Sequence, residues 1–142
     1  MKKYILSFLA ITLVLTSINA FAGVKKKKVE KTINAQAIVD NLKVGLTSDN
    51  YGLKVSSAYV LGQLVCCDVI TSDDASDAII PLLKILKDDN PDEARIVAAL
   101  ALYHLNSDRG AMIYEFAAKN DDSERFCKFC DLLYHEYIQN NK

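Results

Sequence analysis

The sequence predicts an all-α fold built from repeated helix pairs. Only two prolines and five glycines occur in 142 residues, and 51% of the residues are hydrophobic. No stretch alternates apolar and polar residues for long enough to indicate a β-strand. In addition, one pattern of 12 residues occurs twice, at an offset of 41 residues. The 120 residues that follow the N-terminal apolar segment are enough for one domain with its own core.

The repeated pattern spans residues 53–64 and 94–105. In each copy a cation follows an apolar residue, small residues occupy the third and fourth places after the cation, and two leucines close the pattern. Each copy also follows a leucine-rich run and a turn rich in Asp and Asn. The repeating unit is therefore a pair of helices joined by a polar turn.

Six helices are predicted, because polar segments divide the chain into six apolar-periodic stretches. The predicted ranges are 32–47, 51–70, 76–87, 91–105, 109–119 and 122–138. Polar breaks at 71–74 and 106–108 carry side-chain oxygens that can accept hydrogen bonds from the first amides of the next helix. These breaks therefore predict the starts of the third and fifth helices.

The two prolines limit where helices can begin or continue. Pro91 suits the first turn of the fourth helix, where its missing N–H costs nothing, and Asn90 before it can act as a cap. Pro81 lies inside the third predicted helix. A proline there predicts either a kink or a helix that begins near Ala78.

The repeat resembles the HEAT repeat, a family in which one helix pair forms each unit. The residues that carry the resemblance are Lys54, Ala58, Leu61, Gly62 and Leu64 in the first unit, and Arg95, Ala98, Ala99, Leu102 and Leu105 in the second. The resemblance covers residues 33–138. It implies a short α-solenoid of about three antiparallel helix pairs, a HEAT-like domain over residues 33–140, because neither helix of a pair buries its apolar face alone.

The resemblance also implies a role for the two cations that begin the pattern. In HEAT-like families the cation at this position commonly bridges to acidic residues of the turn. We therefore expect Lys54 to pair with Asp49, and Arg95 to pair with one of the aspartates at 88–89. Such surface pairs align the repeats more than they stabilise them.

The third unit departs from the repeated register. Aligning Arg125 with Arg95 would place charged residues on core positions. The free energy needed to bury unpaired charges is too large for a motif match to justify this alignment. Helical periodicity instead gives the last helix two opposite stripes. The polar stripe comprises Glu124, Lys128, Asp131, His135 and Gln139, and the apolar stripe comprises Phe126, Phe129, Cys130, Leu133 and Tyr137. We expect this helix to close the stack with its polar face in water.

Residues 1–22 have the pattern of a signal peptide. Two lysines precede an uncharged, mainly apolar stretch at 4–18, and Ala20, Phe21 and Ala22 form a small-x-small ending. We expect cleavage after Ala22 and a periplasmic or secreted protein. The alternative is an uncleaved membrane anchor, because residues 4–24 carry no charge and about 20 residues suffice to span a bilayer.

A basic arm, residues 23–32, precedes the helical body. Its charged run is Lys25, Lys26, Lys27 and Lys28. We expect a flexible, solvated tether, with contact to anionic lipid as the alternative. Loss of residues 1–22 would take two lysines from the 17 basic residues, against 18 acidic ones, and leave a net charge of −3. Beyond Glu30 the net charge is −6, which argues against nucleic acid as a partner.

The four cysteines are the best candidates for chemistry. Cys66 and Cys67 end the second predicted helix, and Cys127 and Cys130 lie one turn apart on the sixth. The latter two are candidates for an internal disulfide in an oxidising compartment. The alternative is that they are small apolar residues filling the interface with the fifth helix. A metal site built from both pairs is disfavoured, because packed helices two steps apart are separated by about 20 Å.

No arrangement of residues indicates catalysis or a cofactor. His104 and His135 are isolated, and the aspartate pairs suit caps and solvated turns. We expect an exported interaction module, not an enzyme, that binds a protein or peptide of the cell envelope. The alternative is a lyase-type accessory protein that handles a chromophore or another ligand, since HEAT-like repeats also occur in bilin lyases.

The predicted partner site is a ridge along the second and fourth helices. It comprises Ser56, Tyr59, Gln63, Val97, Leu100 and His104, spaced i, i+3, i+7 on each helix. The tyrosine, valine and leucine would form an apolar patch with polar tips at one end, a common form of protein-binding site. The alternative is that the outer helices or the basic arm cover this ridge.

Overall fold

The computed structural model describes residues 34–87 and 90–142. Within these ranges the regular elements are a single 3₁₀ turn, Ser76–Ala78, and six α-helices: α1 (Ala35–Leu46), α2 (Tyr51–Cys66), α3 (Ile79–Lys87), α4 (Asp92–His104), α5 (Asp108–Asn120) and α6 (Glu124–Asn140). The predicted all-α class is confirmed. The signal peptide, the basic arm with its four lysines, and the alternative membrane anchor all fall outside the described residues.

Side-chain caps explain where four of the helices begin. In each, the side-chain oxygen of the preceding residue accepts a hydrogen bond from the backbone N–H three positions later. These caps are Asn34, Asn50, Ser107 and Ser123, with oxygen–nitrogen distances of 3.0 to 3.2 Å. The polar break at 106–108 therefore supplies the cap of α5, as its sequence predicts.

The prolines have simpler roles. Pro91 is itself the N-cap of α4, one position before its first turn, and no side-chain oxygen caps that helix. The Asn90 side-chain NH₂ group donates to the Ile85 carbonyl at 3.1 Å. Pro81 is the third residue of α3, which begins at Ile79 after the 3₁₀ turn. A first-turn amide has no partner inside the helix, so a proline fits there without a kink. The alternative that the helix begins near Ala78 is confirmed.

The second helix is shorter than predicted, ending at Cys66 rather than at residue 70. Asp68 adopts a left-handed conformation with φ 54°, which a helix cannot continue through. The amides of Val69 and Ile70 then turn back to the Leu64 carbonyl, at 2.9 and 3.3 Å. Apolar composition alone did not predict this end, because the stop depends on a backbone conformation.

The helices pack as three consecutive pairs: α1 with α2, α3 with α4, and α5 with α6. Short connections such as 47–50 and 121–123 make each pair antiparallel. Helix α4 lies at the centre of the described domain and contacts α2, α3, α5 and α6. Its buried face is mostly alanine, and such small side chains let neighbouring helices approach closely.

The last helix has the two stripes that its periodicity predicts. Phe126, Cys130, Leu133 and Tyr137 are buried and Phe129 is half-buried, whereas all five residues of the polar stripe are exposed. Periodicity was thus a better guide than alignment to the repeat. In the described part of the chain, no helix combines the length and the apolar character needed to cross a membrane.

Candidate functional site

Helices α2 and α4 lie side by side, and their line of contact brings the predicted ridge together. Tyr59, Gln63, Val97, Leu100 and His104 line one shallow crevice, whose floor is Ala58, Gly62 and Ala101. We call this surface the α2/α4 seam. Ser56 does not line the crevice; its hydroxyl donates to the Leu53 carbonyl at 3.1 Å. The structure therefore assembles five of the six predicted ridge residues from segments 41 positions apart.

Gly62 explains why the two helices meet so closely. A Cβ atom at this position would lie 3.1 Å from the Ala101 Cα atom and 3.4 Å from its Cβ atom. Such distances are shorter than ordinary carbon–carbon contacts, so the absence of a side chain lets the backbones approach. The resulting crevice has a volume of only about 10 Å³, roughly the space that one water molecule requires.

The residues of the seam differ in exposure. Tyr59 is 53% exposed, whereas Gln63, Val97, Leu100 and His104 are half-buried. Val97 and Leu100 also pack against the core. Part of each of these two side chains therefore contributes to the packing of the domain, and only the remainder is available at the surface.

The seam carries no formal charge at neutral pH. Residues 55–67 and 96–107, which form most of α2 and α4, contain no Asp, Glu, Lys or Arg. Burial of the ring lowers the pKa of His104 below its usual value, so the imidazole is neutral. The strip is thus uncharged, although residues 31–142 together carry a net charge of −6.

The Arg95 guanidinium is held by four groups from different elements. It pairs with both oxygens of Asp121, contacts Asp92 at 3.5 Å, donates to the Leu86 carbonyl at 3.3 Å and stacks 3.9 Å above the Phe126 ring. Its predicted partners at 88–89 fall outside the described residues. The sequence did not reveal Asp121, which lies 26 positions away. This cation joins the second and third helix pairs.

Lys54 occupies the equivalent position in the first unit but behaves differently. Among residues 34–87 and 90–142 it forms no ion pair, although it lines a groove of about 260 Å³ together with Asp49. The predicted pair with Asp49 is therefore absent. A lysine ammonium on a flexible stem gains little from an exposed partner and keeps its hydration instead.

All four cysteines are free thiols, so the disulfide considered between Cys127 and Cys130 is absent. The single S–H group of Cys127 lies within hydrogen-bond distance of two carbonyl oxygens, those of Ala117 at 3.4 Å and Asp121 at 3.1 Å. Cys130 is buried, and burial raises the pKa of its thiol to about 12. The alternative is what the structure shows: both residues help to fill the interface between α5 and α6.

A second cleft was not predicted from the sequence. It has a volume of about 660 Å³ and lies between the end of α3 and helices α5 and α6, with Leu86, Ile113, Phe116 and Phe126 among its lining residues. Met112 and Phe116 are strongly exposed at its edge. In the described ranges, no three Cys, His, Asp or Glu side chains converge in a way that could hold a metal ion.

Comparison with known protein families, curated proteins and solved structures gave no match for this chain.

Proposed function

We propose that this chain is an exported interaction module with a short HEAT-like α-solenoid, and that it binds a protein or peptide partner along the α2/α4 seam. The solenoid is supported by the order of packing. Each pair is formed by consecutive helices, and the second helix of one pair packs on the second helix of the next, in the row α2, α4 and α6. This is the arrangement in which stacked units bury faces that none of them buries alone.

The observation that carries the binding proposal is the convergence of the seam residues. Five side chains from two copies of one pattern line the same crevice, with an exposed tyrosine and neutral polar tips. Tyrosine is enriched at the centres of protein interfaces, because it supplies contact area with little conformational freedom to lose. The uncharged surroundings favour a partner surface that is itself uncharged or weakly polar.

The dimensions of the seam favour a macromolecule over a small ligand. Sites for small molecules are typically concavities of about 300 to 1,000 Å³. The crevice at the seam is about 10 Å³, so a ligand there would rest on the surface and bury little of itself. A helix or extended segment of a protein can instead lie along both helices and make many shallow contacts.

The binding proposal predicts that Tyr59→Ala and Leu100→Asp abolish partner capture. Each variant would serve as bait for envelope extracts, and mass spectrometry would compare the captured proteins with those of the unaltered chain. Leu132→Asp on α6 is the control for the second variant, because Leu132 is 56% exposed and is not among the residues that line the crevice. We expect it to capture partners normally, since a change at a distant exposed site has little effect on binding.

Melting temperature and helical content would be recorded for all three variants. The proposal requires near-native values for Tyr59→Ala, whose side chain is the most exposed of the seam residues. Loss of folding in both seam variants would show that the seam is core and would overturn the binding face. Undiminished capture by both folded variants would place the binding site elsewhere.

Export makes a separate prediction about the N-terminus. The protein extracted from producing cells should begin at Gly23, because signal peptidase cleaves after a small-x-small ending such as Ala20-Phe21-Ala22. Intact mass and N-terminal sequencing measure this directly. Recovery of the full-length chain from membranes would contradict cleavage and support the uncleaved anchor.

A further inference from the structure

The cleft beside α5 lies where the row of first helices is open. Helix α5 packs closely on α6 and also contacts α4, whereas α3 and α5 make no extensive contact with each other. Leu86, near the end of α3, and Ile113, on α5, both line a space of about 660 Å³. Apolar side chains that would meet in a fully closed stack therefore border an open concavity, which we call the α3/α5 cleft.

Most of the lining of this cleft is apolar. Six of its nine lining residues have apolar side chains: Leu86, Met112, Ile113, Phe116, Ala117 and Phe126. Leu86, Ala117 and Phe126 are buried and form the floor, whereas Met112 and Phe116 are 72% and 67% exposed at the edge. In the described part of the chain no large hydrophobic side chain is more exposed than Met112. Exposed apolar surface beside a concavity is typical of a binding site, and methionine adapts its shape to what it contacts.

The charged residues of the lining favour a ligand with one negative group. They are Lys87, Arg95 and Asp121. The Arg95 guanidinium and the Asp121 carboxylate neutralise each other, whereas Lys87 is exposed and forms no ion pair within the described residues. Two cations and one anion give the lining a net charge of +1, although residues 31–142 together carry −6. An ammonium beside an apolar concavity attracts an anionic group to that edge.

A small ligand fits the dimensions of the cleft better than a helix of a partner protein does. Concavities of about 300 to 1,000 Å³ are typical of sites for small molecules, and the cleft lies within that range. Its lining residues on α5 run from Met112 to Ala117, which at 1.5 Å per residue is about 7.5 Å along the helix axis. A partner helix would therefore contact little more than one turn of α5.

We propose that the α3/α5 cleft binds a small amphiphile with an apolar body and one carboxylate, of which a free fatty acid is the simplest example. The apolar body rests on the floor of the cleft, and the carboxylate pairs with the Lys87 ammonium. The cleft shares no lining residue with the α2/α4 seam. Ligand binding here is therefore independent of partner binding on the seam.

Methionine provides a direct readout of the cleft. The chain contains two methionines, Met1 and Met112, and Met112 lies at the edge of the cleft. The full chain, isotope-labelled in its methionine methyl groups, would be titrated with decanoate at neutral pH, and Met112→Leu would assign the signals in the NMR spectrum. We expect the Met112 signal to shift and to saturate. Calorimetry would give the Kd of decanoate and of decanol, which has the same carbon chain without the charge.

Two substitutions separate the charge from the apolar contacts. Lys87→Met should weaken decanoate binding about two- to fivefold and leave decanol binding unchanged, because it removes one exposed ion pair. Lys84→Met is the matched control, since Lys84 is an exposed lysine of the same helix that lines a different groove. Phe116→Asp should weaken the binding of both ligands about tenfold or more, because it removes apolar contact area. Leu132→Asp, an exposed leucine outside the cleft, should bind both ligands like the unaltered chain.

A Met112 signal that does not move before decanoate forms micelles would overturn the proposal. Equal losses in Lys87→Met and Lys84→Met, or an equal loss of decanol and decanoate binding in Lys87→Met, would refute the role of the carboxylate. A dimer of the ligand-free chain that Phe116→Asp disrupts would assign the cleft to a second copy instead. Loss of partner capture in Phe116→Asp, without decanoate binding to the unaltered chain, would assign it to a protein.

Circular dichroism would check that each variant folds. Lys87→Met changes an exposed side chain, so it tests the proposal even where Phe116→Asp does not fold. Tyr59→Ala on the seam should bind decanoate normally, because Tyr59 does not line the cleft. Failure at either site therefore leaves the result for the other site intact.

Discussion

Replacing Leu61 or Leu102 by alanine should lower the free energy of unfolding by about 2 to 5 kcal/mol, measured by urea denaturation. These leucines occupy equivalent places in the two copies of the repeated pattern, and both are fully buried. Alanine in either place removes apolar contacts and leaves a cavity, since close-packed neighbours relax only in part. The alanine-rich face of α4 leaves few large side chains that could move to fill the space at Leu102.

Lys128→Ala is the contrasting substitution and should change the same free energy by no more than about 0.5 kcal/mol. Its side chain is 75% exposed and pairs with Glu124, one turn earlier on α6. Exposed pairs of this kind contribute little, because solvent screens them and the side chains lose entropy. Similar losses at Lys128 and at the two leucines would contradict the assignment of buried and exposed faces.

Arg95→Met should have the second large effect and lower the free energy of unfolding by about 2 to 4 kcal/mol. The side chains of Arg95 and Asp121 are only 15% and 17% exposed, so removal of the guanidinium leaves a carboxylate largely shielded from water and without its partner. The substitution also removes the stacking on Phe126 and the hydrogen bond to the Leu86 carbonyl. Methionine fills much of the same apolar volume, so the lost stability reflects the removed polar contacts more than the creation of a cavity.

The repeat supplies a matched control for this substitution. Lys54→Met changes the equivalent residue of the first unit, which forms no ion pair within the described residues. This substitution should change the free energy of unfolding by no more than about 0.5 kcal/mol. Adding Asp121→Asn to Arg95→Met should recover part of the loss, because it removes the unpaired charge. Equal effects at Arg95 and Lys54 would mean that the contacts of Arg95 contribute nothing to stability.

The same pair predicts how acid affects the fold. The Arg95 guanidinium holds the pKa of Asp121 below its usual value. A carboxyl whose pKa is lower in the folded state contributes stability above its unfolded pKa, about 3.9, and loses that contribution as the pH falls through its folded pKa. Denaturation curves between about pH 5 and pH 2 should therefore show a smaller acid-induced loss in Arg95→Met than in the unaltered chain.

Much of the local architecture could be predicted from the sequence, because it depends on contacts within one or two turns. The polar break at 106–108 contains Ser107, which caps α5 through an amide three residues away. The spacing of apolar residues separated the buried and exposed faces of α6. The 41-residue repeat also indicated which residues of α2 and α4 would lie beside each other. Two neighbouring helices with the same pattern place equivalent residues at the same level along their axes.

Other features depend on how the helix pairs pack against one another. Arg95 could not be assigned to Asp121, 26 positions away, because that distance depends on the packing of α4 against α6. The half-burial of Val97 and Leu100 likewise follows from the close approach at Gly62, which no periodicity specifies. Hydrophobic patterning identifies the face that a helix buries, whereas the rotation and separation of packed helices emerge only when side chains from distant segments interlock.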